Sequence, residues 1–149
     1  MMNLLSKQLE CLIEDDKYEV TILSNMSSFI YHSLEDVSWA GFYLFKDKQL
    51  ILGPFQGKVA CTVIPLGKGV CGTSALNQET LVVENVHEFK GHIACDSASN
   101  SEIVVPITIQ DTLYGVLDLD STSFDRFEKD KECIVEMVKV LEKKLTDLL

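Results

Sequence analysis

The sequence predicts an α+β fold, with a central antiparallel sheet flanked by helices from both ends of the chain. Three observations predict it. Apolar residues recur at helical spacing over 3–14 and 17–34. Two pairs of apolar runs are each split by a short polar turn, the pattern of antiparallel hairpins. The segment 125–149 returns to helical spacing and closes the chain.

The first helix places Leu5, Leu9, Leu12 and Ile13 toward a core, and the second places Val20, Leu23, Ile30 and Leu34. WAGFYLF (39–45), the turn KDKQ and LILGPF (50–55) form the first hairpin, and VACTVIP (59–65) follows as a third strand. A glycine-rich run, PLGKGVCGTSALNQ (65–78), leads into a short helix, and TLVVENV (80–86) reads as a buried strand. Residues 87–100 form a long loop. SEIVVPITIQ, a turn at Asp111–Thr112 and LYGVLDLDS form the second hairpin. Asp125 with Glu128 has capping-box spacing, and Ile134, Val138, Leu141 and Leu145 make the apolar stripe of the last helix. The 149 residues read as one domain, 1–149, without repeats or linkers.

Composition narrows the function classes. A net charge of −10 disfavours nucleic acid as a partner, and no Lys/Arg cluster offsets it. No apolar run is long enough to span a membrane, and the N-terminus lacks the basic start of a signal peptide. The expected location is cytoplasmic. In a reducing compartment, five cysteines without a CxxC pair argue against a structural disulfide framework.

Packing accounts for Cys11 and Cys133, which lie in the terminal helices, because free cysteine behaves as a small hydrophobe. Cys61, Cys71 and Cys95 fall instead in two loop regions, 56–74 and 87–101, where sites are commonly held. In VLDLD (116–120), Leu117 and Leu119 point to one face of a strand, Asp118 and Asp120 to the other. If that face is buried, mutual repulsion and desolvation raise both pKa values and suit a general acid; if it is exposed, the pair is merely solvated. Glu102 heads the neighbouring strand, as a third carboxylate or as an exposed strand end. Trp39 and Tyr43 share a face, as core or as the wall of a small apolar pocket. Three thiolates with His92 or His87 number enough for zinc, but spacings of ten and twenty-four residues lack the short clips of structural sites, so no metal is expected. GKGVCGTS is not a phosphate-binding loop, since Lys68 is not followed by Ser or Thr.

WAGFYLF, LGPFQGKVACTVIPLGKGVCGTS, GHIACDSASNSEIVVPI and GVLDLDS, in this order from Trp39 to Ser121, together resemble the free methionine-(R)-sulfoxide reductases, which are small GAF-domain enzymes. Two departures are Lys68 and Asn100, where arginine is common; the second bears on how a substrate carboxylate is held. The resemblance implies reduction of free L-methionine-(R)-sulfoxide to methionine, a thioredoxin-type dithiol as reductant, no bound cofactor, a homodimer and protection against oxidative damage. It implies Cys95 as nucleophile, passing through a sulfenic acid that Cys61 resolves as a disulfide, with Cys71 as alternative nucleophile, resolver or relay. Glu102, Asp118 and Asp120 then serve as acids and as partners of the substrate ammonium, and Trp39 and Tyr43 wall its S-methyl end. A non-catalytic GAF sensor of small molecules or redox state is the rival reading, since fold does not fix function.

Overall fold

The computed structural model describes residues 1–92 and 98–149. Helix α1 (Leu4–Ile13) starts at Asn3, whose side chain accepts the Ser6 N–H at 2.9 Å. Asn3 itself donates twice to Glu136 of the last helix at 2.8 Å, so one residue caps α1 and ties it to the C-terminus. Leu9 and Ile13 are buried, whereas Leu12 lies at the stripe's edge and is 43% exposed. Cys11 is also exposed, which overturns packing as its explanation. Helix α2 (Glu19–Ser33) buries Ile22, Leu23, Met26 and Ile30. Val20, expected in the core, is exposed. It lies about 90° round the helix from the centre of the face set by Leu23, Met26 and Ile30, at the stripe's edge in the first turn.

Strands β1 (Trp39–Lys46), β2 (Gln49–Gln56), β3 (Val63–Pro65), β4 (Leu81–Val83), β5 (Ser101–Ile109) and β6 (Thr112–Ser121) form one antiparallel sheet in the order β3-β2-β1-β6-β5-β4. Both hairpins turn on two residues with positive φ, Asp47–Lys48 and Gln110–Asp111, which match the twist of paired strands. The second turn therefore sits one residue earlier than expected. The third strand is shorter than 59–65. Residues before Val63 leave the sheet because side chains occupy their carbonyls: Trp39 Nε1–H donates to Lys58 O at 3.0 Å and Tyr43 O–H to Cys61 O at 2.9 Å.

The sheet separates two apolar layers by strand parity. Ala40, Phe42, Ile103, Val105, Leu117 and Leu119 face α1, α2 and the closing helix α4 (Lys131–Leu148). Trp39, Tyr43, Val104 and Val116 face the other way, toward α3 (Gly69–Asn77). The stripe of α4 is buried as its spacing predicts. Its start is not: Asp125 has φ 48° and donates its N–H to Glu84 O at 2.9 Å, and a single 3₁₀ turn, Glu128–Asp130, precedes the helix. The chain bends here because Phe127 is buried and Arg126 reaches Glu35 O and Asp130, both at 2.8 Å. Among the described residues, no helix is long and apolar enough to cross a membrane.

Candidate active site

The strand-parity argument for VLDLD holds: Leu117 and Leu119 enter the helix-side core, and Asp118 and Asp120 turn to the α3 side. There they line a cavity rather than solvent. Strand register assembles the rest. Glu102 pairs with Asp120 across β5–β6, while Trp39 pairs with Asp120 and Gly41 with Asp118 across β1–β6. Trp39, Tyr43, Glu102, Asp118 and Asp120 thus share one face of three adjacent strands, all lining one cavity. Glu102 and Asp118 are 7% and 5% exposed, so neither is a solvated strand-end residue.

The aromatic wall has a structural cause. Trp39 stacks on Tyr43 and on Phe55, with centroids 6.0 and 5.1 Å apart. The hydrogen bonds of its indole N–H and the Tyr43 hydroxyl hold residues 58–61 beside the cavity, which brings Val59 and Ala60 into its lining.

The third wall is the first turn of α3. Gly69 has φ 63°, a conformation open to glycine, and its N–H donates to Gly91 O at 3.2 Å. This turn places Gly69, Val70 and Cys71 at the cavity. Cys71 therefore sits in a helix, not a loop, and is 5% exposed. Its Sγ lies 3.9 Å from Glu102 Oε2. Cys61, half-buried, belongs to the same apolar layer.

Electrostatics follow from burying acids together. No ion pair among the described residues reaches Glu102 or Asp118. Desolvation pushes the Glu102 carboxyl well above its ordinary 4.5, and the carboxylates of Asp118 and Asp120 add to it. Asp118 is also raised by burial, less strongly because hydrogen bonds from Glu102, Cys71 and Asp120 favour its charged form. Both carboxyls are thus shifted toward their protonated forms, Glu102 by burial and by its acidic neighbours together. Burial, then Asp118 and Glu102, hold the Cys71 thiol well above 9.0. Tyr43 is raised by burial and by the same acids, so its hydroxyl remains a donor. His92, at the rim, is lowered by burial and by His87 and is neutral at pH 7.

Cys95 lies outside the described residues. Asn100 does not line the cavity: its Oδ1 lies 2.8 Å from His87 Nε2 and its Nδ2–H donates to Thr122 O at 2.7 Å. Sequence reasoning missed Ser99, which is 5% exposed, lines the cavity and, among the described residues, has no partner for its hydroxyl. In a polar run, one serine gives no signal of burial. Asp118 Oδ1 is likewise buried and unpartnered, and such orphans mark places where a bound group belongs.

The GAF domain family model matches residues 19–139. The free methionine-R-sulfoxide reductase of Escherichia coli (strain K12) is 47% identical over 142 residues, covering 95% of this chain and 86% of that protein. The structure of fRMsr of Staphylococcus aureus in its reduced form aligns with a TM-score of 0.92 at 54% identity, covering 95% of this chain and 93% of that one. Free methionine-R-sulfoxide reductase from Neisseria meningitidis, solved in complex with its substrate, aligns with a TM-score of 0.93 at 38% identity, covering 97% and 87%. On these matches, and with Cys71 and the buried acids gathered at one cavity of the same fold, this chain belongs to the GAF-domain family and, within it, to the free methionine-R-sulfoxide reductases.

Proposed function

We propose that this protein reduces free L-methionine-(R)-sulfoxide to methionine by cysteine chemistry, with a thioredoxin-type dithiol as reductant. The observation that carries the reading is the buried set of Glu102, Asp118 and Cys71 under an aromatic wall, which no ion pair among the described residues balances. A sulfoxide is a poor electrophile until its oxygen takes a proton, and Glu102 is the group that holds one. The substrate ammonium supplies the missing positive charge and sits against Asp118 and Asp120. Its carboxylate faces the Ser99 hydroxyl and the first turn of α3, where a helix N-terminus favours an anion. Trp39 and Tyr43 wall the S-methyl end.

In the proposed reaction, Cys95 thiolate attacks the sulfoxide sulfur while Glu102 protonates the oxygen. Oxygen passes to Cys95 as a sulfenic acid, and methionine leaves with its sulfur reduced by two electrons. Cys61 condenses with the sulfenic acid, releasing water and forming a disulfide that the dithiol reopens by exchange. Cys71 is the alternative resolver or relay. The working form proposed is a cytoplasmic homodimer.

The test is incubation of reduced protein with free methionine-(R,S)-sulfoxide and dithiothreitol, followed by chiral chromatography. Loss of the R form alone is the expected result; persistence of both forms with folded protein overturns the reading.

Glu102→Gln is expected to lower kcat/KM by about 10²–10⁴-fold. It is not expected to lower stability, because an amide replaces a carboxyl that forms no ion pair among the described residues. The pH dependence gives a second check. The carboxyls of Glu102 and Asp118 have raised folded pKa values, so their contribution to stability is fully present below 4.5 and 3.8 and is lost as pH rises through the raised values. The thermal midpoint of Glu102→Gln relative to wild type is expected to increase with pH across that window. A gap that narrows with rising pH contradicts the assignment.

A further inference from the structure

We propose that the reduced protein binds one borderline divalent cation of the zinc type through Cys71 Sγ, Glu102 and Asp118, and that this ion occludes the site. One ligand atom from each of the three residues lies within 4.8 Å of the other two, all three residues are buried, and the Sγ–Oε2 separation is 3.9 Å. Bond lengths of about 2.3 Å to sulfur and 2.0–2.2 Å to oxygen put neighbouring donors of a tetrahedral ion about 3.5 Å apart. The three donors thus need to close by about 0.4 Å for the Sγ–Oε2 pair and by at most about 1.3 Å for any pair, within the reach of side-chain torsions.

An acidic cluster alone does not make a site. Here one carboxylate oxygen of Asp118, Oδ1, is buried with no hydrogen-bond partner among the described residues, in a side chain that is 5% exposed and lines the cavity. The orphaned Ser99 hydroxyl lines the same cavity, which has a volume of about 50 Å³. A water needs roughly 10–15 Å³ on the same measure, so an ion and a coordinated water fit.

Donor chemistry selects the ion. Calcium takes six to eight oxygens and magnesium a near-ideal octahedron of them, so a thiolate with two carboxylates serves neither. One sulfur and two oxygens with an open fourth position suit zinc, cobalt or cadmium. Because the donors include the groups proposed to meet the substrate ammonium, the ion is expected to compete with substrate. That consequence rests on the proposed function; binding itself does not, and it is measured directly.

The experiment titrates reduced protein, freed of reductant under argon, with Co²⁺ as the probe. Expected is one equivalent, with a near-ultraviolet thiolate-to-cobalt charge-transfer band and the intense visible bands of a tetrahedral ion, all displaced by Zn²⁺. Cys71→Ser is expected to lose the charge-transfer band and Cys11→Ser to keep it. Asp118→Asn, checked for folding by circular dichroism, is expected to bind at least about tenfold more weakly. No saturable band, a band that survives Cys71→Ser, or unchanged affinity in Asp118→Asn overturns the proposal.

Discussion

Serine in place of Cys95 is expected to abolish turnover of free methionine-(R)-sulfoxide, by about 10⁴-fold or more, while the protein stays folded. The argument runs through Cys71, the competing nucleophile. A thiol attacks as its thiolate. Cys71 is 5% exposed, and burial with Asp118, Glu102 and Asp120 around it keeps it protonated at neutral pH. The same acids that suit Glu102 to donate a proton make Cys71 a poor first attacker. Cys71→Ser is therefore expected to retain single-turnover reduction, with any loss confined to recycling. Thiol titration after one turnover, without reductant, separates the roles. Wild type is expected to lose two thiols per methionine formed, and Cys95→Ser to form no methionine. Methionine formation by Cys95→Ser, with none by Cys71→Ser, reverses the assignment.

A large structural effect is expected at Gly41. A Cβ there meets Phe55 Cβ at 2.3 Å, Trp39 Cη2 at 2.8 Å and Phe55 Cα at 2.9 Å. Two of these belong to the paired strand β2 and the third to the indole of the cavity wall. Register already shifts between Gly41 and Tyr43, so the absent side chain lets Trp39 lie across the strand. Gly41→Ala is expected to cost about 2–3 kcal/mol, seen as a lower urea midpoint. Since Trp39 is the sole tryptophan, its emission reports displacement of the wall directly, and a red shift with a raised KM is expected. Gly53→Ala serves as the comparison on β2: its nearest contacts are 3.2–3.4 Å, and a smaller loss is expected. Equal losses for the two variants, with unshifted emission, contradict a special role for Gly41.

Local pattern was readable wherever one residue period governed burial. The period of two in VLDLD placed Leu117 and Leu119 on one face and Asp118 and Asp120 on the other, and the observed layers follow that division. The period of 3.6 placed Ile134, Val138, Leu141 and Leu145 in the core. The quoted motifs between Trp39 and Ser121 were enough to indicate the family to which the chain belongs. Starts of elements were less readable, because side chains from distant segments decide them. Buried Phe127 and Arg126 moved the start of the last helix past Asp125, and Trp39 and Tyr43 held residues 58–61 out of the sheet.

The sequence by itself named the candidates, three thiols, three carboxyls and two aromatics, of which Cys71, the carboxyls and the aromatics line one cavity. Whether those carboxyls were solvated or buried had equal support from spacing. Only the tertiary structure decided it, because burial depends on what covers a face, and here the cover is α3, brought from another part of the chain. The same packing placed Cys71 in a helix beside Glu102, put Ser99 into the cavity and turned Asn100 away from it. The electrostatics followed from this burial: the carboxyls of Glu102 on β5 and of Asp118 and Asp120 on β6 converge beside Cys71 of α3, no ion pair among the described residues reaches Glu102 or Asp118, and desolvation therefore raises both carboxyls.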